Sequence, residues 1–259
     1  MPYISVNDTE IYYEDEGSGP PVVLLHSWGT SGRVWGPVLP SLVADHRVLT
    51  VDARGCGRSA RPAAGNTIAG NTADVLELMR KLHLDRPVIA GSSQGGTYAA
   101  EVAIQAGGLI TGAVVIDGGG HWGLVTHGVA DRLARLRAAL IADRPAALQA
   151  WVPGWFGPAV GTGMHAWTIR QILDASPYID PILSEQADFD QRPRLPDVNV
   201  PVTWIHGELD SIPVSIAEES AQLVPGGDVV VIDGAAHMPH LEQPARFEQE
   251  LRRVLSAMR

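Results

Sequence analysis

Residues 87–96 read Pro-Val-Ile-Ala-Gly-Ser-Ser-Gln-Gly-Gly and decide the fold, because they join an apolar run to an alanine-rich segment. The apolar run predicts a short buried strand, and the following segment predicts a helix over 94–105. A sharp turn from strand to helix holds the central serine of a Gly-x-Ser-x-Gly motif in a strained conformation, with its hydroxyl above the sheet. Gly91 and Gly95 supply the small residues that such a turn needs on either side of Ser93. Ser93 is therefore the candidate nucleophile.

A serine hydroxyl becomes a strong nucleophile only when a base takes its proton and a third group orients that base. Two later segments can supply these groups, since Asp210 follows a strand predicted over 202–206 and His237 follows a strand predicted over 229–232. The carboxyl ends of parallel strands meet at one edge of a sheet, where ligands bind. The order serine, aspartate, histidine along the chain favours Ser93, Asp210 and His237 as a catalytic triad.

Several neighbouring residues offer alternatives to these assignments. Asp117 follows another predicted strand and is an alternative acid at the same sheet edge, and Glu208 is a weaker one. His240 lies three residues beyond His237, and we expect it at the rim of the site. Taken singly, Asp210 is equally well explained as a helix cap and His237 as an ordinary loop histidine; their joint order and context favour the triad.

Acyl transfer also needs donors for the negative charge that develops on the carbonyl oxygen. The backbone N–H of Gln94, directly after the candidate nucleophile, is one expected donor. The loop after the first long strand, residues 26–29, is expected to supply the other, and Trp28 is the donor by position.

The rest of the chain alternates strand and helix patterns, which is typical of a parallel sheet covered on both faces. Strands are predicted over 4–6, 10–13, 22–26, 47–51, 87–90, 113–116, 202–206 and 229–232, and helices over 35–44, 72–82, 94–105, 129–142, 214–224 and 245–258. This alternation stops after the strand predicted over 113–116 and resumes with the strand predicted over 202–206. We therefore predict a core formed by residues 1–117 and 197–259, with residues 118–196 as a mostly helical cap inserted between them.

Four tryptophans fall inside the predicted cap, and they are candidate walls of an apolar substrate pocket: Trp122, Trp151, Trp155 and Trp167. Any one of them is also explained by the cap's own core. Together they predict a small, largely apolar substrate.

Composition excludes several other classes of protein. The 259 residues carry 19 basic and 29 acidic side chains, a net charge of −10 that disfavours binding to nucleic acid. No apolar stretch reaches the ~20 residues of a membrane span, and the first 20 residues lack a signal-peptide pattern. Cys56 is the single cysteine, so an internal disulfide is excluded. We expect a cytoplasmic protein whose partner is a small-molecule substrate; self-association into a homo-oligomer stays open.

These motifs together resemble the α/β-hydrolase superfamily over nearly the whole chain. Residues 52–59 (Asp-Ala-Arg-Gly-Cys-Gly-Arg-Ser) resemble the turn after the family's second long strand, and residues 201–210 and 237–244 resemble its acid and histidine segments. The resemblance implies an α/β fold with a mostly parallel eight-stranded sheet, helices on both faces and a helical cap. We predict no cofactor and no metal site, since no haem, flavin or nicotinamide motif is present.

The resemblance also implies a reaction. A serine at the turn points to hydrolysis of a small carboxylic ester or lactone through an acyl-enzyme, and residues 26–30 are similar to the corresponding loop of 3-oxoadipate enol-lactonase-like members. A C–C bond hydrolase of aromatic ring-cleavage products, a perhydrolase or haloperoxidase-like side activity and a non-catalytic ligand receptor are the alternatives. The chain departs from the family at Ser27, where glycine is common, and at Gln94, where methionine or leucine is common.

Overall fold

The computed structural model describes residues 2–118 and 128–258. Eight strands form one sheet in the order β1-β2-β4-β3-β5-β6-β7-β8. They are β1 (Tyr3–Val6), β2 (Thr9–Gly17), β3 (Pro21–Leu25), β4 (Arg47–Val51), β5 (Val88–Ser92), β6 (Gly112–Ile116), β7 (Val202–Gly207) and β8 (Asp228–Ile232). β1–β2 and β2–β4 pair antiparallel and the remaining neighbours pair parallel, so the predicted fold class is confirmed.

The α-helices of the described residues fall between and after these strands. They are α1 (Leu39–Leu42), α2 (Ile68–Lys81), α3 (Gln94–Ala106), α4 (Val129–Ala142), α5 (Arg144–Trp151), α6 (Thr162–Asp174), α7 (Ile182–Asp188), α8 (Val214–Leu223), α9 (Pro239–Glu242) and α10 (Pro244–Ala257). Within residues 2–118 and 128–258, no helix combines the length and apolar composition that crossing a bilayer requires.

The centre of the sheet is covered on both faces, because every residue of β5, β6 and β7 is buried. In the sheet, β4 lies on one side of β3, and β5, β6, β7 and β8 lie on the other side. Right-handed crossovers in opposite directions put their helices on opposite faces. Trp35, which follows β3, packs against Phe247 of α10 with ring centroids 6.3 Å apart, while α2 contacts α3.

The register of the parallel strands brings their carboxyl ends to one edge. Ser92 pairs with Ile116, Ile116 pairs with Ile205, and Gly207 pairs with Ile232. The segments that follow β5, β6, β7 and β8 therefore begin side by side. Ser93 follows β5, Asp210 follows β7 and His237 follows β8.

The predicted helix over 35–44 is wrong. The structure has a 3₁₀ turn at Gly32–Trp35 and then only the single turn of α1. Proline lacks an N–H and its ring clashes with the preceding turn, so Pro40 cannot lie in the interior of a helix that begins at residue 35 and is instead accommodated in the first turn of α1.

The segment after β6 is mostly helical where the structure describes it, and α4 packs against α5 and α7 while α5 packs against α6. Only α4 was predicted as a particular helix. This segment contacts the sheet edge, because the His237 N–H donates a hydrogen bond to the Trp155 carbonyl oxygen (3.0 Å). The division into a core and a cap with the boundaries given above stays a prediction.

Candidate active site

Ser93 occupies the turn between β5 and α3 in a strained backbone conformation, with φ 54° and ψ −114°. Glycine is required on both sides of Ser93, because a side chain there would clash with the backbone. A Cβ built on Gly91 lies 2.0 Å from the Gly95 carbonyl oxygen, and one built on Gly95 lies 2.5 Å from the Leu25 carbonyl oxygen. The Ser93 N–H donates to the Ile116 carbonyl oxygen at 2.6 Å. The turn is thus held against both neighbouring strands, and the predicted conformation is found.

The structure brings Ser93, Asp210 and His237 together. The Ser93 Oγ lies 2.9 Å from His237 Nε2, and His237 Nδ1 lies 2.8 Å from Asp210 Oδ2. An ionised carboxylate only accepts hydrogen bonds, so Nδ1–H donates to Asp210 and Nε2 of the neutral ring accepts from the serine hydroxyl. The Asp210 side chain is fully buried. This arrangement can remove a proton from Ser93.

The electrostatics of the pair suit a base. Burial lowers the pKa of His237, but the charge of Asp210 and its hydrogen bond outweigh burial and raise that pKa above its ordinary value. Burial works to raise the pKa of Asp210, yet the charge and hydrogen bond of His237 lower it overall. The Ile212 N–H donates to Asp210 Oδ1 at 3.0 Å and further favours the carboxylate.

A second carboxyl group, that of Asp117, lies beside Asp210. Ligand-type atoms of Asp117, Asp210 and His237 all lie within 4.8 Å of one another; this is the one group of potential metal ligands in the described part of the chain, and the Asp210–His237 hydrogen bond already engages two of its members. Asp117 Oδ1 accepts from the Gly207 N–H (2.8 Å), whereas Oδ2 has no partner among the residues described.

The environment distinguishes the two carboxyl groups. Burial, and then the negative charge of Asp210, raise the pKa of Asp117 well above its ordinary value, against the opposing effect of the Gly207 N–H. Two adjacent buried carboxyl groups do not both ionise readily. The lowered pKa of Asp210 and its hydrogen bonds with His237 and the Ile212 N–H therefore favour Asp210, and not Asp117, as the ionised partner of His237.

Sequence reasoning missed Glu242, which organises the histidine loop. Its carboxylate accepts from the N–H groups of Ala236 (3.1 Å) and Met238 (2.9 Å), one on each side of His237. It also accepts from the N–H of Gly157 (2.7 Å), so the loop and the segment after β6 share one anchor. Its place five residues after His237 was the only signal in the sequence.

The predicted oxyanion donors lie beside Ser93, at the start of α3 and after β3. Neither the Trp28 N–H nor the Gln94 N–H donates a hydrogen bond to any residue the structure describes. Both side chains are buried, and both residues line the same cavity as Ser93. Both N–H groups are thus unengaged beside the nucleophile.

The side chain of Gln94 has a specific partner that the sequence did not reveal. Its Nε2 donates to Gln186 Oε1 (3.0 Å) of α7, and Gln186 Nε2 donates to Thr97 Oγ1 (2.9 Å). This buried chain of hydrogen bonds joins the start of α3 to the helices above it. It explains how a polar residue is accommodated where the family commonly has an apolar one.

A cavity of about 290 Å³ opens above Ser93 and His237. Its walls are largely apolar and include Val129, Leu133, Leu136, Trp151, Trp155, Leu183 and Ile212. Trp151 and Trp155 thus lie where they were predicted. Trp167 does not, because it lines a separate cavity together with Arg58 and Arg170. Trp122 lies outside the described residues.

Four further residues that the sequence suggested for the site or its surroundings are used to stabilise the fold or are buried away from the cavity. His240 was expected at the rim, but it is fully buried and stacks on Trp35 at 4.5 Å; burial lowers its pKa to about 3. Cys56 is buried, and burial raises the pKa of its thiol to about 12. Glu208 accepts from the Gly234 N–H (2.8 Å) at the surface. His26 Nε2 accepts from the Ala53 N–H (2.9 Å), so it braces its loop.

Comparison with known proteins places the chain in a family. The profile described as "Alpha/beta hydrolase family" matches residues 22–250. A curated relative from Synechocystis sp., "Putative non-heme chloroperoxidase", is 31% identical over 88% of this chain and 92% of its own length. The pimeloyl-(acyl-carrier protein) methyl ester esterase of Aliivibrio salmonicida is 27% identical, over 95% and 96%. The solved enol-lactonase from Burkholderia xenovorans LB400 superposes with a TM-score of 0.83 at 27% identity, over 98% of this chain and 100% of that one. The chain belongs to the alpha/beta hydrolase family.

Proposed function

We propose that this protein is a serine hydrolase that cleaves a small, largely apolar carboxylic ester or lactone. The observation that carries the proposal is the hydrogen-bonded series Ser93–His237–Asp210 at the floor of the cavity, with distances of 2.9 and 2.8 Å. The esterase and enol-lactonase among the similar proteins support the same class of bond. The cavity volume of about 290 Å³ and its apolar walls suit a small substrate.

The proposed reaction proceeds through an acyl-enzyme. His237 Nε2 takes the Ser93 proton while Oγ attacks the carbonyl carbon, and the N–H groups of Trp28 and Gln94 bind the resulting oxyanion. The imidazolium then protonates the leaving alcohol oxygen as its bond to carbon breaks. A water molecule gives a proton to His237 Nε2 as it attacks the acyl carbon. The imidazolium returns this proton to Ser93 Oγ as the bond from Oγ to the acyl carbon breaks, which releases the acid and restores Ser93. Asp210 stabilises the imidazolium throughout.

The test is Ser93→Ala measured with 4-nitrophenyl acetate and with a fluorophosphonate label. We expect a burst of nitrophenol from the natural protein, a loss of at least about 10³-fold in kcat for the variant, and a label only on Ser93. Circular dichroism checks that the variant remains folded. Undiminished turnover by Ser93→Ala would overturn the proposal, and the absence of both burst and label in the natural protein would point to a ligand receptor.

A further inference from the structure

The cavity above Ser93 contains one permanently charged side chain among the lining residues that the structure describes, and it is the cation Arg132 of α4. The chain as a whole carries a net charge of −10, so a lone cation inside an apolar cavity is not a consequence of composition. Arg132 is half-buried. In the described ranges, no carboxylate oxygen lies within 4.0 Å of its guanidinium, in contrast to Arg144 of α5, which pairs with Asp180 (3.1 Å).

One contact fixes the direction of the Arg132 side chain. Its Nη2 donates to the carbonyl oxygen of Ser211 at 2.7 Å, and Ser211 directly follows Asp210. The guanidinium is therefore held at the wall of the cavity next to the triad. The pKa of His237 is raised overall, mainly because Asp210 outweighs burial, and the positive charge of Arg132 weakly opposes this rise, which agrees with a position near the imidazole.

The other arginines of this region do not share this position. Arg135 lies one turn further along α4, is exposed, and is not among the residues that line the cavity. Arg170 of α6 lines the separate cavity that also contains Trp167. Of these three arginines, only Arg132 lines the cavity that contains Ser93.

A guanidinium has five N–H donors in a planar fork, and the Ser211 contact occupies only part of this capacity. The remaining donors match the two oxygens of a carboxylate, which such a fork binds with charge-assisted hydrogen bonds. Attraction between opposite charges is stronger in a partly desolvated, apolar cavity than in water. A neutral ester offers the remaining donors no anion, and no carboxylate within residues 2–118 and 128–258 pairs with them, whereas a substrate with a carboxylate does.

We propose that Arg132 binds a carboxylate of the substrate, so that the preferred substrates are esters or lactones whose acyl or alcohol part carries a carboxylate group. This inference rests on the proposed function, because it concerns the substrate of the same site.

The experiment compares matched pairs of esters. Mono-4-nitrophenyl glutarate and 4-nitrophenyl valerate have acyl chains of the same length, with and without a terminal carboxylate. 4-Acetoxybenzoate and phenyl acetate make the same comparison for the alcohol part. In Arg132→Gln we expect kcat/KM for the anionic member of at least one pair to fall about 10- to 100-fold, mainly through KM, with less than about a threefold change for its neutral partner. Arg132→Lys retains the charge without the fork and should restore part of this loss.

Arg135→Gln is the control, because it removes the same charge from the same helix outside the cavity. We expect it to leave all four substrates unchanged. If Arg132→Gln lowers kcat equally for the anionic and neutral esters, Arg132 only braces the loop at Ser211 and the proposal is wrong. An unchanged ratio in both pairs overturns it as well. Failure of the proposed function is distinguishable, because then hydrolysis of the neutral esters would not depend on Ser93.

Discussion

Replacement of Asp210 by asparagine tests the triad most directly. The two oxygens of Asp210 have separate tasks: Oδ1 accepts from the Ile212 N–H (3.0 Å) and Oδ2 accepts from His237 Nδ1–H (2.8 Å). Asparagine has one oxygen for these two donors. If the oxygen stays with Ile212, the amide NH₂ faces His237 and forces the tautomer in which Nε2 carries the proton. The imidazole then cannot accept the proton of Ser93.

The size of the effect follows from this geometry. A wrong tautomer, together with the loss of the charge that stabilises the imidazolium, costs about 10³- to 10⁴-fold in kcat. This corresponds to about 4–5.5 kcal/mol of transition-state stabilisation. Because the Asp210 side chain is fully buried, solvent screening does not soften the change.

The assay is steady-state hydrolysis of 4-nitrophenyl acetate by Asp210→Asn, with Asp117→Asn as the matched control. Asp117→Asn replaces the neighbouring carboxyl, which accepts from the Gly207 N–H while Asp210 accepts from His237, and its amide oxygen can still accept from Gly207. We expect this control to keep kcat within about threefold. The reasoning is refuted if Asp210→Asn keeps more than a tenth of the activity, or if Asp117→Asn is the more damaging change.

Two further predictions concern pH and the turn at Ser93. His237 must be neutral to take a proton, and Asp210 raises its pKa, so kcat/KM should fall as the pH drops through a midpoint above the ordinary histidine value of about 6.5; a rate profile that stays flat down to pH 5 would contradict this. Gly91→Ala puts a Cβ 2.0 Å from a backbone oxygen, so we expect a loss of about 3 kcal/mol or more and a Tm lower by at least about 6 °C in calorimetry. Gly108→Ala is its control, because the added Cβ meets no atom within 4 Å, and an equal Tm for both variants would refute the steric argument.

The sequence by itself determined the features that depend on local pattern. The apolar strand, the two small residues around Ser93 and the alanine-rich helix are contiguous, so the sequence alone predicts the turn between them. The order of the strand-ending residues likewise predicted that Asp210 and His237 would meet Ser93. A local failure had a local cause, because Pro40 breaks the helix expected over 35–44.

Only the tertiary structure decided between groups that lie on separate elements. Asp117 and Asp210 both follow parallel strands, and their roles differ because the His237 ring and the Ile212 N–H face only one of them. The partnership of Gln94 with Gln186 spans 92 positions of sequence.

The positions of the cap tryptophans and of Arg132 also depended on packing. Trp155 and Trp167 are both tryptophans of the predicted cap, and the sequence does not distinguish them. One lines the cavity of Ser93 and the other a separate cavity, because they lie on different elements. Helical periodicity tells which residues share a face, but the direction in which that face points is fixed by contacts with the rest of the chain. That is why the meeting of Ser93, Asp210 and His237 could be predicted from the sequence, while the walls and the charge of the pocket required the folded chain.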